Sequence, residues 1–561
     1  MERRKRRRLI PGTKPNRILR SVQFHVDGHV VDVTDPPAGA SLLDVLREHV
    51  RALSVKDGCS PQGQCGCCTV LVDGAPRVAC VTPAARVAGR AITTVDGLDE
   101  PVRDGWAEAF LGTGGSQCGF CTPGIVLRLE GLRRKGTPGG ARAAVDQALL
   151  AHLCRCTGWQ TIREAYDAMA AGEATPGGAS PGAVSAGRDL EAAARRATLE
   201  GRAPQRVGAD VVLGRGGFAD DTAPADALVA MPRVGGGWAV AGSGPEARRL
   251  AGKVQGRRST VGLQWPVAVP PGEWDLVLRT TWVEPAYLEP DAAWCRPGEG
   301  TPEGGPLANG GAFGGKVDSP LPAVACELAA GHGRAVRALW AREDVVRSGP
   351  KRPPLAAGLR ADGTGVVRVV RTPGVAAVIR EVLPGVEVEE VDVPGPPTSL
   401  APRAAGWAEA TVLRAALAAL HRVPRRGETM WNLRDAVTVV GPEGGRAEVG
   451  VDLEARRVEV RVSAGDPLDD TVLRSYCIGA VHQALGWVLS EGIAVDGNGE
   501  PLDLTIRSFG ILRAADMPDV HVAIEPGEGP PVPVADSVFA ATAAATWIGR
   551  GLPEAWPLDR T

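Results

Sequence analysis

The sequence lacks the features of a membrane protein and of a strongly charged protein. No apolar run in its 561 residues approaches the roughly 18 to 20 residues of a membrane-spanning helix. Lys and Arg total 63 against 65 Asp and Glu, so no overall field draws the chain to nucleic acid or a membrane surface. The basic start, residues 1–20, lacks the apolar stretch of a secretory signal. We expect a short solvated tail there, with a nucleic-acid-binding tail as the alternative.

Cysteine is scarce for so long a chain, and its distribution is uneven. Twelve cysteines in 561 residues are too few for a disulfide scaffold. Eight of them fall into two tight groups before residue 157, and such grouping is typical of metal binding in a reducing compartment. We therefore predict a cytoplasmic protein that holds metal near its N-terminal end.

The two cysteine groups have spacings that suit two [2Fe-2S] clusters, each held by four sulfurs. The first group is Cys59, Cys65, Cys68 and Cys80, and the second is Cys118, Cys121, Cys154 and Cys156. Zinc also accepts four cysteines and is the alternative, although the first group lacks the two Cys-x2-Cys knuckles of a zinc ribbon. Cys67 is an extra cysteine; Cys65-x2-Cys68 has the better ligand spacing, so we expect Cys67 to be a packed thiol.

The elements around the first 170 residues predict two small modules. Alternating β-formers around Asp27-Gly28 indicate a hairpin, and Ser41 is a candidate N-cap for the helix that follows. With the cysteine loop and a strand from Thr69, residues 21–100 read as a ferredoxin-like β-grasp domain. Residues 101–170 have helical periodicity and should form a helical bundle around the second cluster.

The remainder of the chain is predicted to be a linker and a larger mixed portion. Small residues, Gly and Pro dominate the start of 171–205, which indicates a flexible linker. Residues 206–561 combine Val-rich strands, such as 366–370 and 458–462, with long helices at 408–420 and 471–489. The predicted fold class is therefore multidomain α+β, with a mixed α/β second half.

The cysteine motifs are similar to those of a known family. Gly-Cys…Cys-Gly-x-Cys-Thr-Val at 58–70 and Gln-Cys-Gly-Phe-Cys-Thr-Pro-Gly…Cys-Arg-Cys-Thr-Gly at 117–158 resemble the iron–sulfur module of the molybdenum hydroxylases, the xanthine dehydrogenase and aldehyde oxidase family. One departure is that five residues separate Cys59 from Cys65, where the family usually has four. This form resembles the branch typified by selenium-dependent xanthine dehydrogenases.

The resemblance implies a molybdopterin cofactor beside the second cluster. In the family, the residue that matches Gln117 hydrogen-bonds the pterin, and the one that matches Cys156 ligates iron while touching the pterin side. Residues 206–561 resemble the molybdopterin-binding portion more faintly. There the loop at 309–316 brings Phe313, Gly314 and Gly315 close to molybdenum, and the resemblance implies a substrate-orienting role for Arg403 and a cofactor-binding role for Gln483.

Parts of the family pattern are missing from the second half. Glu289 and Phe313 are only 24 positions apart, where relatives have several dozen residues, and 206–561 is a shortened molybdopterin-binding portion. Relatives also carry a catalytic glutamate in Gly-x-Gly-Glu near the C-terminus, which we do not find in the matching stretch from Pro530. Asp536 is the nearest acid there, either as a substitute base or as the N-cap of a helix from Ser537.

The resemblance implies a hydroxylase acting on a small-molecule substrate, either a purine, another N-heterocycle or an aldehyde. Its electrons would leave through the two clusters. Because no flavin segment separates the two portions, we expect a separate flavoprotein or another electron acceptor, and a homo- or hetero-oligomer. The alternative is an electron-transfer iron–sulfur protein with a degenerate, inactive molybdenum portion. A nucleic-acid binder rests on the basic tail alone.

Overall fold

The computed structural model describes residues 21–34, 39–171, 187–253, 261–298, 300, 311–420 and 436–560. The predicted tail at 1–20 lies outside these residues. Among the helices that are described, none combines the length and the apolarity needed to cross a membrane.

The first module is a five-stranded mixed sheet, in the order β2-β1-β5-β3-β4, with one short helix. Its elements are β1 (Ser21–Val26), β2 (His29–Thr34), α1 (Leu42–Asp44, continued by the π-helical turn Val45–Val50), β3 (Thr69–Val72), β4 (Ala75–Val78) and β5 (Ala91–Thr93). The hairpin prediction is confirmed, since Val26 pairs with His29. Asp27 and Gly28 both have positive φ, as the two central residues of a type I′ turn require. The Ser41 cap is also confirmed, since its Oγ accepts from the amide of Asp44.

The second module consists of helices, as its periodicity predicts. These are α2 (Glu100–Thr113), α3 (Thr122–Arg133), α4 (Arg142–Ala148) and α5 (Gln160–Ala171). The cysteines of the second group lie before α3 and in the loop between α4 and α5, so helix ends rather than helix faces present them. Trp106 and Trp159 are completely buried among these helices and close the core of the module.

The predicted flexible linker is wrong over its C-terminal part. Residues 172–186 lie outside the described residues, but Leu190–Gly201 form a regular helix, α6, whose N-cap Asp189 accepts from two backbone amides. Arg196 on α6 is fully buried and donates to the carbonyl oxygens of Pro467 and Val532. Ala-rich sequence favours helix as readily as it indicates a loose linker, and long-range packing of α6 decides between them.

The described residues of the second half form three four-stranded sheets, in the orders β7-β6-β10-β9, β13-β12-β11-β8 and β14-β15-β16-β17. The strands are β6 (Leu228–Pro232), β7 (Trp238–Ala241), β8 (Leu276–Arg279), β9 (Ala292–Cys295), β10 (Val336–Leu339), β11 (Leu355–Leu359), β12 (Gly365–Val370), β13 (Val386–Val391), β14 (Val437–Val440), β15 (Arg446–Asp452), β16 (Arg457–Ser463) and β17 (Asp519–Ile524). The helices are α7 (Ala209–Val212), α8 (Ala219–Thr222), α9 (Gly244–Leu250), α10 (Leu321–His332), α11 (Arg342–Ser348), α12 (Val375–Val382), α13 (Trp407–Ala419), α14 (Asp470–Leu489) and α15 (Ala535–Gly549). A disulfide between Cys295 and Cys326 joins β9 to α10.

Helix α14 is the element that brings the second half onto the iron–sulfur modules. Almost all of its residues are buried, since it packs against α15 and α6 within the second half and against the second module on the other side. The strand and helix predictions at 366–370, 458–462, 408–420 and 471–489 are confirmed by β12, β16, α13 and α14. The fold is therefore the mixed α+β arrangement that the sequence predicts.

Candidate redox centres

The four thiols of the first group meet in one buried place. The thiol of Cys59 contacts those of Cys65 and Cys80, and the thiol of Cys80 also contacts that of Cys68. Hydrogen bonds from the thiols of Cys65 and Cys80 lower the pKa of Cys59 well below its usual value. The backbone amides of Gln64 and Cys65 also donate to Cys59 Sγ, each at 3.3 Å. Backbone amides that donate to the ligand sulfurs are what an iron–sulfur cluster needs from its surroundings.

The second group converges in the same way. Cys156 Sγ lies 3.6 Å from Cys118 Sγ, and the thiol of Cys154 contacts those of Cys121 and Cys156. Contact with the thiol of Cys121 is the main cause that lowers the pKa of Cys154. Each group thus contains a chain of four contacting thiols, which fits two irons that each take two sulfurs. In the first group the thiol of Cys67 also contacts that of Cys65.

The two groups are joined through backbone. The amide of Leu153, which precedes Cys154, donates to the carbonyl oxygen of Cys65 at 2.9 Å. Cys67 is buried between the groups, and burial raises the pKa of its thiol. The role of Cys67 as a packed thiol stays a prediction.

Gln117 links the second group to helix α14. Its Nε2 donates to the carbonyl oxygen of Cys156 at 3.1 Å and to Ser475 Oγ on α14 at 3.0 Å. Its Oε1 is buried and has no hydrogen-bond partner among the described residues. A buried acceptor without a partner is costly, so this oxygen is available to a donor from a bound group.

Arg403, Phe313 and Gln483 lie in contact with one another. The Arg403 guanidinium lies 3.8 Å from the centroid of the Phe313 ring, and its Nε donates to Gln483 Oε1 at 2.8 Å. Burial lowers the pKa of Arg403 to about 10. Both Phe313 and Arg403 have left-handed backbone, with φ of 44° and 47°, a strain that is concentrated at functional sites in proteins. Gly314 must be glycine, because a Cβ there would lie 2.2 Å from the carbonyl oxygen of Ala401.

Asp536 is buried beside this cluster, but it is not an N-cap. Helix α15 begins at Ala535 with Val534 as its N-cap, so the predicted helix start at Ser537 is wrong. The Asp536 carboxylate instead forms ion pairs with Arg202 and, at 3.7 Å, with Arg403 Nη1. The α15 amides of Val534 and Ala535 are capped by the distant Glu200. A substitute-base role for Asp536 stays a prediction.

The polar groups around Arg403, Phe313 and Gln483 suit a pterin, but the free space beside them is small. Gln117 Oε1 and Arg403 Nη2 are both buried without hydrogen-bond partners in the described part of the chain. The cavity bounded by Arg155, Arg403, Gln483 and Glu491 measures only about 20 Å³, room for about one water molecule. The donor and acceptor set therefore suits a polar cofactor.

Sequence reasoning missed several residues that complete these centres. Ser475 holds Gln117, Glu200 caps α15, and Glu491 pairs with Arg155 inside the Cys-Arg-Cys motif. Their partners are hundreds of positions away, so no local pattern indicates them. Only Arg155 carries a local signal, since it is flanked by two predicted ligands.

A larger cavity of about 50 Å³ lies beside Cys59 of the first group. Glu289 lines it and is held by Lys316, whose Nζ lies 2.7 Å from Glu289 Oε2. Burial raises the pKa of Glu289 to about 7, because Lys316 offsets only part of the cost of desolvation. The ion pair thus connects the segment around Glu289 to the loop that carries Phe313.

Comparison with known proteins agrees with this arrangement. A "[2Fe-2S] binding domain" family matches residues 94–167. The chain is 39% identical over 137 residues to a probable xanthine dehydrogenase subunit (Bacillus subtilis, strain 168), a match that spans 24% of this chain and 78% of that protein. It is 38% identical over 159 residues to the xanthine dehydrogenase of Drosophila subobscura, spanning 26% of this chain but only 11% of that protein.

The fold of the whole chain is similar to a solved structure. An aldehyde oxidoreductase from Desulfovibrio gigas superposes with a TM-score of 0.67, covering 95% of this chain and 97% of that chain. Sequence identity in that comparison is 16%, so the likeness concerns the fold alone. The predicted fold class is confirmed, and the second half has the architecture of that oxidoreductase.

Proposed function

The chain belongs to the molybdenum hydroxylase family, and from this premise we propose that it oxidises a purine, another N-heterocycle or an aldehyde and passes the electrons through two [2Fe-2S] clusters to an external acceptor. The family consists of molybdenum-dependent oxidoreductases, which use iron–sulfur clusters and molybdopterin. The observation that carries the proposal is a set of hydrogen bonds beside the second cysteine group: Gln117 donates to the carbonyl oxygen of Cys156, and Gln483 links Arg403 to the carbonyl oxygen of Arg155. The selenium-dependent branch, the flavoprotein acceptor, the oligomer and a cytoplasmic location stay predictions.

The chain's own residues would bind and orient rather than carry electrons from carbon. When bound, a molybdenum–pterin group supplies a centre that accepts two electrons from a substrate carbon, with water as the oxygen source. Gln117 Oε1 is free to accept a hydrogen bond from a pterin N–H. Gln483 and the backbone around Phe313, Gly314 and Gly315 would hold the cofactor. Arg403 Nη2 would orient a polar substrate atom, and Asp536, which pairs with Arg403, is the carboxylate that we propose would take up a proton.

A second candidate function is electron transfer alone. The Arg403 side chain fills the space beside Phe313, and the remaining cavity of about 20 Å³ excludes a pterin in this arrangement. Asp536 is engaged by two arginines, which leaves it poorly placed as a base. Both observations favour a closed molybdenum portion attached to a working pair of clusters.

Metal content of the purified full chain, produced in a host that makes molybdenum cofactor, separates the two candidates. We expect four irons and one molybdenum per chain by elemental analysis. The variant Gln117→Ala should keep four irons and lose molybdenum, because it removes the free Oε1 acceptor, whereas the exposed Gln147→Ala on α4 should change neither metal. Four irons without molybdenum in the parent chain would overturn the hydroxylase proposal in favour of electron transfer.

A further inference from the structure

Arg155 lies within the second cysteine group. It is the residue between Cys154 and Cys156, two of the four predicted ligands, and its side chain is buried. Nη1 and Nη2 donate to the two oxygens of Glu491 at 2.5 and 2.7 Å, and Nε donates to the carbonyl oxygen of Pro285 at 2.9 Å. A bidentate pair of this kind fixes both the position and the orientation of the guanidinium.

Glu491 reaches Arg155 because the end of α14 is built to admit it. Glu491 follows the helix directly and is 1% exposed. A Cβ on Gly486 would lie 2.1 Å from Glu491 Oε1, so only glycine at that helix position leaves room for the carboxylate. Helix α14 also binds the backbone of the Cys154–Cys156 loop, since Gln483 Nε2 donates to the carbonyl oxygen of Arg155 at 2.9 Å.

The positive charge of Arg155 and the negative charge of Glu491 affect the reduction potential of the second cluster in opposite directions. A fixed positive charge beside the ligands stabilises the reduced, more negative cluster, and nearby charge and hydrogen bonding are known determinants of cluster potential. The Glu491 carboxylate offsets that charge inside a water-poor environment, where electrostatic interactions are strong. We propose that Glu491 is a positioning residue that sets the reduction potential of the second cluster by holding and neutralising Arg155. This inference depends on the clusters and is independent of whether molybdenum is bound.

The substitution Glu491→Gln tests the proposal, since it keeps the shape of the side chain and removes its charge. The two clusters are titrated separately by their electron paramagnetic resonance signals, with the first cluster as internal reference. We expect the second cluster to become easier to reduce, with at least a tenfold change in the equilibrium constant for electron sharing between the clusters, which is about 59 mV for one electron. In the Glu491→Asp variant, which keeps the charge, the reduction potential of the second cluster should lie much closer to that of the parent protein than in Glu491→Gln.

A matched control is available between helices α5 and α14. Glu164 on α5 forms a bidentate ion pair with Arg474 on α14, at 2.6 and 2.8 Å, but both side chains are about one third exposed. Glu164→Gln should leave both potentials unchanged. An unchanged second potential in a Glu491→Gln protein with four irons would overturn the proposal.

Arg155→Lys provides the second variant, in case Glu491→Gln fails to retain iron. Lysine keeps the charge but cannot contact both carboxylate oxygens in the same planar arrangement, so the charge moves relative to the ligands. A shift of the second potential at four irons per chain supports the proposal. Loss of two irons from both variants would make the pair a purely structural element and would overturn it.

Discussion

Gly479 on α14 packs directly against the loop of the second cysteine group, and it provides a sharp test of the described packing. A Cβ on Gly479 would lie 1.8 Å from the carbonyl oxygen of Cys156. Carbon–oxygen contacts of this kind settle at about 3.3–3.6 Å. Alanine at 479 would therefore require α14 and the Cys156 loop to separate by roughly 1.5 Å or more.

The cost of that separation can be judged against the gain in helix propensity. Overpacking of a close contact typically costs about 1–3 kcal/mol. The separation would also weaken the hydrogen bonds from Gln117 to the Cys156 carbonyl and from Gln483 to the Arg155 carbonyl, at about 1 kcal/mol each. Replacing a helical glycine by alanine returns up to about 1 kcal/mol. We expect Gly479→Ala to lower the free energy of unfolding by about 2–4 kcal/mol.

Gly331, near the end of α10, is the matched control, because a Cβ there meets no atom within 4 Å. Gly331→Ala should be neutral or slightly stabilising. Urea midpoints are compared by visible circular dichroism of the clusters and by far-ultraviolet circular dichroism, since a chain of several domains need not unfold in one step. If Gly479→Ala matched Gly331→Ala in both midpoints, the described contact between α14 and Cys156 would be refuted.

Two further predictions concern the first cysteine group and its neighbouring cavity. Cys68→Ser should reduce iron from four to two per chain, whereas Cys67→Ser should keep all four; two irons in the Cys67 variant would make that cysteine a ligand. Because burial raises the pKa of Glu289 from 4.5 to about 7, its contribution to stability is fully present below pH 4.5 and is lost as the pH rises through 7. Glu289→Gln should therefore reduce the fall in thermal midpoint between about pH 5 and 8. The control variant Glu528→Gln, at an exposed position, should show the same fall as the parent protein. Equal slopes in the two variants would contradict the burial of Glu289.

Local pattern predicted the elements well. The Asp27-Gly28 hairpin, the Ser41 cap and the long helix α14 each depend on neighbouring residues, and each is present. The errors arose where distant partners decide the outcome. Leu190–Gly201 form a helix because Arg196 is buried against the second half, and α15 begins earlier than predicted, with its first amides capped by Glu200.

The same distinction between neighbouring residues and distant partners applies to the candidate site. Residue type and spacing alone were enough for the two cysteine groups, because a cluster needs four thiolates that short loops can deliver together. The resemblance led to Gln117, Arg403 and Gln483, and the structure brings the last two into contact. The ligand roles of the individual residues remain predictions that the metal analyses address.

The two iron–sulfur clusters and the membership of the molybdenum hydroxylase family follow from the cysteine motifs, because these motifs depend on residues that are close in the chain. The surroundings of the second cluster, in contrast, depend on tertiary packing. The pairing of Arg155 with Glu491 spans 336 positions, and the closure of the cavity by Arg403 depends on the packing of Phe313, Gln483 and Asp536. Such contacts are set by how buried charges find partners when helices and loops pack, and no local spacing encodes them.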